Sequence, residues 1–184
     1  MIFSDELCVQ QTAQWVREFV IKLNLCPFAK REMDRVSVRI QVSHALTVED
    51  AITDLMKEVE VLNTDTGIET ILLVFPLFLK DFLDYLDAVD LAESILHTHG
   101  YEGIYQLATF HPDYCFADVT SDDVTNYTNR SPYPMLHLLR EEQVEQAIAY
   151  YGDTEQIPEN NMKCLRKLGL ENIKKIISVT TSFG

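Results

Sequence analysis

The chain has 184 residues, 47% hydrophobic and 24% charged, with a formal net charge of -14 and a pI near 4.6. This balance excludes a disordered chain, and the negative field excludes a basic surface for nucleic acid or anionic lipid. A chain of this length buries roughly 70% of the surface its unfolded form exposes, so one domain over residues 1–184 can fold without disulfides or a structural metal.

Met1-Ile2-Phe3-Ser4-Asp5-Glu6 lacks the basic and apolar regions of a secretory signal. The longest apolar run, Ile71 to Leu79, is far short of the roughly 20 residues of a membrane span and contains Pro76. The expected setting is the cytoplasm, with neither membrane nor nucleic acid as partner. Cys8, Cys26, Cys115 and Cys164 form no C-x-x-C pair and read as free thiols.

In chain order, Val16, Phe19, Val20 and Leu23 form the apolar stripe of a first helix that stops near Leu25-Cys26-Pro27. Val36, Val38, Ile40 and Val42 alternate with polar residues, as in an edge strand. Thr47 and Asp50 form a variant capping arrangement for a second helix carrying Val48, Ile52, Leu55, Met56 and Val59, closed by Gly67. Ile71 to Phe75 is continuously apolar, the mark of a strand covered on both faces. A third helix runs from near Asp81 to Gly100, and Ile104 to Phe110 reads as a third strand. Pro134 suits the first turn of a fourth helix with Leu138, Val144, Ala147 and Ile148, and Pro158 opens a fifth that ends about Gly169. The tail from Ile176 to Phe183 reads as strand or coil.

Strands alternating with helices predict an α/β single domain with a small, mainly parallel sheet flanked by helices. Either the tail or Phe116 to Val119 is available for a further strand, and a ferredoxin-like α+β arrangement is the alternative. The segment 111–134 is about twice the length of an ordinary connection and is expected to be functional, because ligands of open parallel sheets bind beyond the carboxyl ends of strands.

Between Gln41 and Asn129 the only lysines or arginines are Lys57 and Lys80, against 17 acids, and Arg130 ends that stretch. Arg130, with Asn129 and Ser131 beside it and a helix amino terminus expected near Pro134, is placed to hold an anion. The competing reading pairs Arg130 with Asp113, Asp118, Asp122 or Asp123. His111, at the end of the third strand, is a candidate acid or base, or a loop-bonding structural residue. His137, one turn inside the expected fourth helix, reads as structural, with its nearness to Arg130 making it a second catalytic candidate; His44 is a weaker one, and His97 and His99 read as helix caps.

Cys26 is a third catalytic candidate. The dipole at a helix carboxyl end disfavours its thiolate while Lys30, Arg31 and Arg35 favour it, and the alternative is a buried, inert thiol beside Phe28. No His-x-x-x-His, paired cysteines or calcium-loop spacing occurs, so no metal is expected. The absence of a glycine-rich phosphate loop, nucleophile elbow or dinucleotide fingerprint leaves the cofactor unspecified.

NLCPFA at Asn24 to Ala29, FHPDYCFAD at Phe110 to Asp118 and DDVTNYTNRSPYPMLHLLRE at Asp122 to Glu141 resemble a bacterial family known as domain of unknown function 1415. The resemblance spans nearly the whole chain, with a variable tail over 170–184 unlike the rest. It implies a bacterial cytoplasmic setting, carries no established activity, and marks Cys26, His111, Asn129, Arg130, His137 and Arg140 as candidates by motif membership. Three functions follow as expectations, of which the third is thiol chemistry at Cys26, with selective alkylation near neutral pH. One is an enzyme or binding protein for an anionic metabolite, using His111, Asn129, Arg130, Ser131 and Arg140. Another is a non-catalytic accessory protein that docks a protein partner through Tyr114, Phe116, Tyr127 and Tyr133.

Overall fold

The computed structural model describes residues 4–152 and 154–181, which form a four-stranded sheet with helices on both faces. Helix α1 (Asp5–Trp15) starts where the Ser4 hydroxyl accepts the Leu7 N–H at 3.2 Å, and it continues as a π-helix over Val16–Ile21. This widened turn closes with Leu25 N–H on Val20 O at 2.9 Å, beside Asn24 in the left-handed region at φ 53°. A short helix that the apolar pattern did not signal, α2 (Ala29–Asp34), leads through Val36, at φ 58° and 85% exposed, to strand β1 (Val38–Val42).

Helix α3 (Val48–Thr64) begins at the expected cap, with Asp50 N–H donating to the Thr47 hydroxyl at 3.2 Å and that hydroxyl donating to Asp50 at 2.9 Å. Strand β2 (Thr70–Val74) is buried throughout, as its unbroken apolar run predicted. Helix α4 (Phe82–Thr98) starts at Asp81, whose carboxylate accepts Leu83 and Asp84 N–H groups, and strand β3 (Tyr105–Phe110) follows.

The chain departs from expectation after 134. Met135–Arg140 is strand β4, not the opening of a helix, and helix α5 (Glu141–Tyr151) starts only after it. Four apolar residues flanking His137 over 135–139 fit either structure, and the open edges of β2 and β3 decide in favour of a strand. Helix α6 (Ile157–Leu168) ends at Gly169 as expected. Leu170–Thr181 is helix α7 rather than strand or coil, with Ile173 fully buried. Phe183 lies outside the described residues, and 116–119 adds no strand.

The sheet order is β1-β2-β4-β3, with β1 parallel to β2 and β4 antiparallel to both β2 and β3. It is therefore mixed rather than mainly parallel, and its order does not support a ferredoxin-like arrangement. Alternation sends Ile71, Leu73, Leu136 and Leu138 to one face, against Leu55 and Val59 of α3 and Tyr85 and Ala92 of α4. Leu72, Val74 and Met135 face the other way, against Trp15, Phe19, Leu165 and Ile173. Among the described residues no helix is long and apolar enough to cross a membrane.

Fully buried Tyr85 ties the end of β3 to the start of β4: its hydroxyl accepts the Phe110 N–H at 3.0 Å and donates to Met135 O at 2.8 Å. Tyr85→Phe keeps the ring and strands both backbone groups. It should lower unfolding free energy by about 1–3 kcal/mol, with the urea m-value unchanged; an unchanged transition midpoint would show that the hydroxyl is not a structural tie.

Candidate functional site

The 111–134 loop spends its polar side chains on itself. His111 is fully buried, its Nε2 lies 3.0 Å from Leu79 O, and its Nδ1 accepts the Asp113 N–H at 3.0 Å. One nitrogen donates and the other accepts, so the ring is a neutral clamp between two loops. Burial lowers its pKa, a shift opposed by the Leu79 carbonyl and Asp113. Asn129 donates to Thr109 O at 3.0 Å, and Ser131 donates to Tyr133 O at 2.6 Å.

Arg130 also turns inward. Its Nε donates to Tyr114 O at 3.1 Å, its Nη2 donates to Ser121 O at 2.6 Å, and the guanidinium lies 4.7 Å from the Tyr127 ring centre. It makes no ion pair with Asp113, Asp118, Asp122 or Asp123 among the described residues. The expected helix terminus at Pro134 is absent because β4 stands there, and α5 instead opens on Glu141 and Glu142, which repel anions.

Three other candidates converge elsewhere. Cys26, His137 and Arg140 line a cavity of about 280 Å³ between the sheet and its helical cover. His137 occupies its sheet floor, paired across the strands with Leu72 on β2 and Ala108 on β3. Ala108 leaves space above the imidazole that a larger residue would fill. Trp15, Val16 and Val20 form one wall, Cys26, Phe28, Ala29 and Met33 another, and Val144 and Ala147 of α5 a third.

The His137 tautomer follows from its neighbour. Thr70 Oγ1 lies 2.6 Å from Nε2 and donates to Leu138 O at 2.7 Å. A carbonyl only accepts and a hydroxyl has one proton, so Oγ1 receives the Nε2–H. Nδ1 is left as a bare acceptor without a protein partner among the described residues. Desolvation pushes the pKa of this imidazole down to about 4, so it is neutral at pH 7.

Cys26 does not sit in the field of a helix carboxyl end as the sequence suggested. The preceding helical segment finishes before Asn24, and the Cys26 sulfur meets the backbone N–H groups of Phe28 and Ala29. Burial nevertheless pushes the thiol up, the two N–H groups opposing it. The rim charges are matched. Arg140 donates to Leu62 O at 2.5 Å and Ile68 O at 3.1 Å, closing the end of α3 with Glu69 at 4.0 Å. Arg31 lies 2.6 Å from Glu32, whose carboxyl is pushed up by burial but held below its ordinary value overall by Ser37 and Arg31.

Thr70, Ala108 and Trp15 were not among the sequence candidates. Their signal lay in strand alternation: once 135–140 is a strand, its register puts His137 beside Leu72 and Ala108. No group of three or more His, Cys, Asp or Glu side chains among the described residues is placed to hold a metal. His44 is near Asp5, at 2.9 Å, and His97 near Glu102, at 3.1 Å.

The depressed His137 pKa makes stability depend on pH. An unfolded histidine protonates near pH 6.5 and the folded one resists until about 4, so between those values the unfolded state binds the extra proton. Stability should fall by on the order of 3 kcal/mol as pH drops from about 6.5 to 4, with His111 adding in the same direction. Urea denaturation across that window should show a shallower pH slope for His137→Phe; an identical slope would mean that His137 titrates freely.

No curated protein and no solved structure matches the chain. A family model described as Protein of unknown function (DUF1415) matches residues 7–175, which takes in the start of α7 as well as the cavity. The chain therefore belongs to the DUF1415 family.

Proposed function

We propose that the protein binds a small, largely apolar molecule in the cavity above His137, and that His137 is the polar group that meets it, with Cys26 in the cavity wall. The cavity itself carries this reading: it is close to the size of small-molecule sites, mostly apolar, and has an unpartnered acceptor at its floor and, in the lining residue Trp15, an unpartnered buried donor. The site moves from the 111–134 loop to the sheet face because the loop candidates already satisfy their polar atoms internally, whereas Nδ1 of His137 does not. An anionic ligand loses support for the same reason, since Arg130, Arg31 and Arg140 are all engaged. The accessory-protein reading has little to recommend it: of the four loop aromatics, only Phe116, at 38%, is among the exposed large hydrophobics.

Trp15 is the chain's one tryptophan and lines the cavity, so its fluorescence reports occupancy. Naphthalene should change that emission saturably and show saturation transfer by NMR. Ala108→Phe, which fills the floor beside His137, should weaken binding by at least about tenfold. Unaltered affinity in a folded Ala108→Phe variant would remove the cavity as the site.

A second reading, thiol chemistry at Cys26, is favoured by the two backbone N–H groups at its sulfur, which stabilise a thiolate. Because burial outweighs them, iodoacetamide should alkylate Cys26 more slowly at pH 7 than an exposed control cysteine, with the rate rising at higher pH. Faster reaction than the control would establish an activated nucleophile.

A further inference from the structure

We infer that the ligand of this cavity is an uncharged alcohol or phenol of roughly ten non-hydrogen atoms, seated with its hydroxyl inward and donating to Nδ1 of His137. The inference rests on the cavity being the binding site and adds the chemistry that it selects. Size comes from the volume: about 280 Å³, at roughly 30 Å³ per small group, holds about ten.

Polarity comes from the floor. The Thr70 hydroxyl is committed to Leu138 O and the Nε2–H of His137 to Thr70, so the one unfilled hydrogen-bonding position there is an acceptor. A ligand must bring a donor to it. An amide or a carboxylic acid would bring a donor together with a strong carbonyl acceptor, for which the floor has no donor; among the described residues the unpartnered buried donor lining the cavity, Nε1–H of Trp15, belongs to the helical wall. A hydroxyl supplies the donor with the least left unpaired.

Charge comes from the walls. A carboxylate or phosphate would lie among Leu72, Ala108, Val144 and Ala147 beside a neutral imidazole. The two cations at the rim are held by Glu32 and by backbone carbonyls. A buried anion without a partner is strongly disfavoured. Gln106 and Gln143, also at the rim, offer amide groups to whatever polar end the ligand presents outward.

The test is a matched series on the full chain: 1-octanol, its methyl ether and octanoate, followed by Trp15 fluorescence and calorimetry at pH 7. Octanol should bind about tenfold tighter than the ether, as one net hydrogen bond allows, and octanoate should not bind saturably. Thr70→Val removes the acceptor that holds the proton on Nε2, and His137→Phe removes Nδ1. Each should bring the octanol-to-ether ratio close to one while ether binding persists. Equal affinity of octanol and ether for the unaltered protein, or tighter binding of octanoate, would overturn the inference and leave the cavity as a binding site. Failure of every member of the series, and of naphthalene, to bind would overturn the cavity reading and this inference together.

Discussion

Strand β4 pairs along both of its edges, with β2 on one side and β3 on the other, and every other layer of the molecule depends on that double pairing. Without it the central, fully buried β2 would present a row of unpaired N–H and C=O groups to an apolar interior. The chain reaches this slot through the long 111–134 connection, which must leave the end of β3 and return antiparallel beside it. Tyr85 bonds to backbone at both ends of that connection, and His111 and Asn129 fasten its interior. Its length is therefore architectural: the loop is a packed structure whose polar groups hold it in place.

The same insertion creates the cavity. Placing β4 between β2 and β3 sets His137 in the middle of a sheet face, with Leu72 and Ala108 as its lateral neighbours. At the far end of that face Phe110 meets Trp15 edge-on, with ring centres 5.4 Å apart, and large side chains fill the layer. Towards Thr70 and Gln106 the floor residues are smaller or polar, while the π-helical end of α1, the wall from Cys26 to Met33 and helix α5 supply the cover. A charged imidazolium would be poorly solvated there, so His137 stays neutral and Thr70 selects which nitrogen keeps the proton.

Local signals in the sequence were legible wherever the determining contacts were themselves local. Thr47 and Asp81 start their helices through bonds to backbone only two or three residues away, and Ile71 to Phe75 announced a doubly covered strand by composition. Pro134 misled, because a proline before an apolar run suits a first helical turn and a strand entrance equally well. Arg130, an isolated cation after a long acidic stretch, suggested an anion site; in the fold it binds carbonyls of its own loop, which sequence charge cannot reveal. Cys26 lines the cavity, and burial raises its thiol as the buried-thiol reading expected, while the opposing N–H groups of Phe28 and Ala29, at the start of the short α2, had no periodic pattern to announce them.

By itself the sequence determined the class of molecule, an acidic α/β chain of one sheet and covering helices, together with the first three strands and the starts of α3, α4 and α6. Tertiary structure alone decided that the sheet is mixed, that His137 lies on a strand, and that Cys26 and His137 share a cavity while His111 and Arg130 serve the loop. The physical reason is range. Caps, turns and apolar periods are settled by neighbours a few residues apart, whereas the role of His137 depends on Thr70, 67 residues away, and on Ala108 across the adjoining strand.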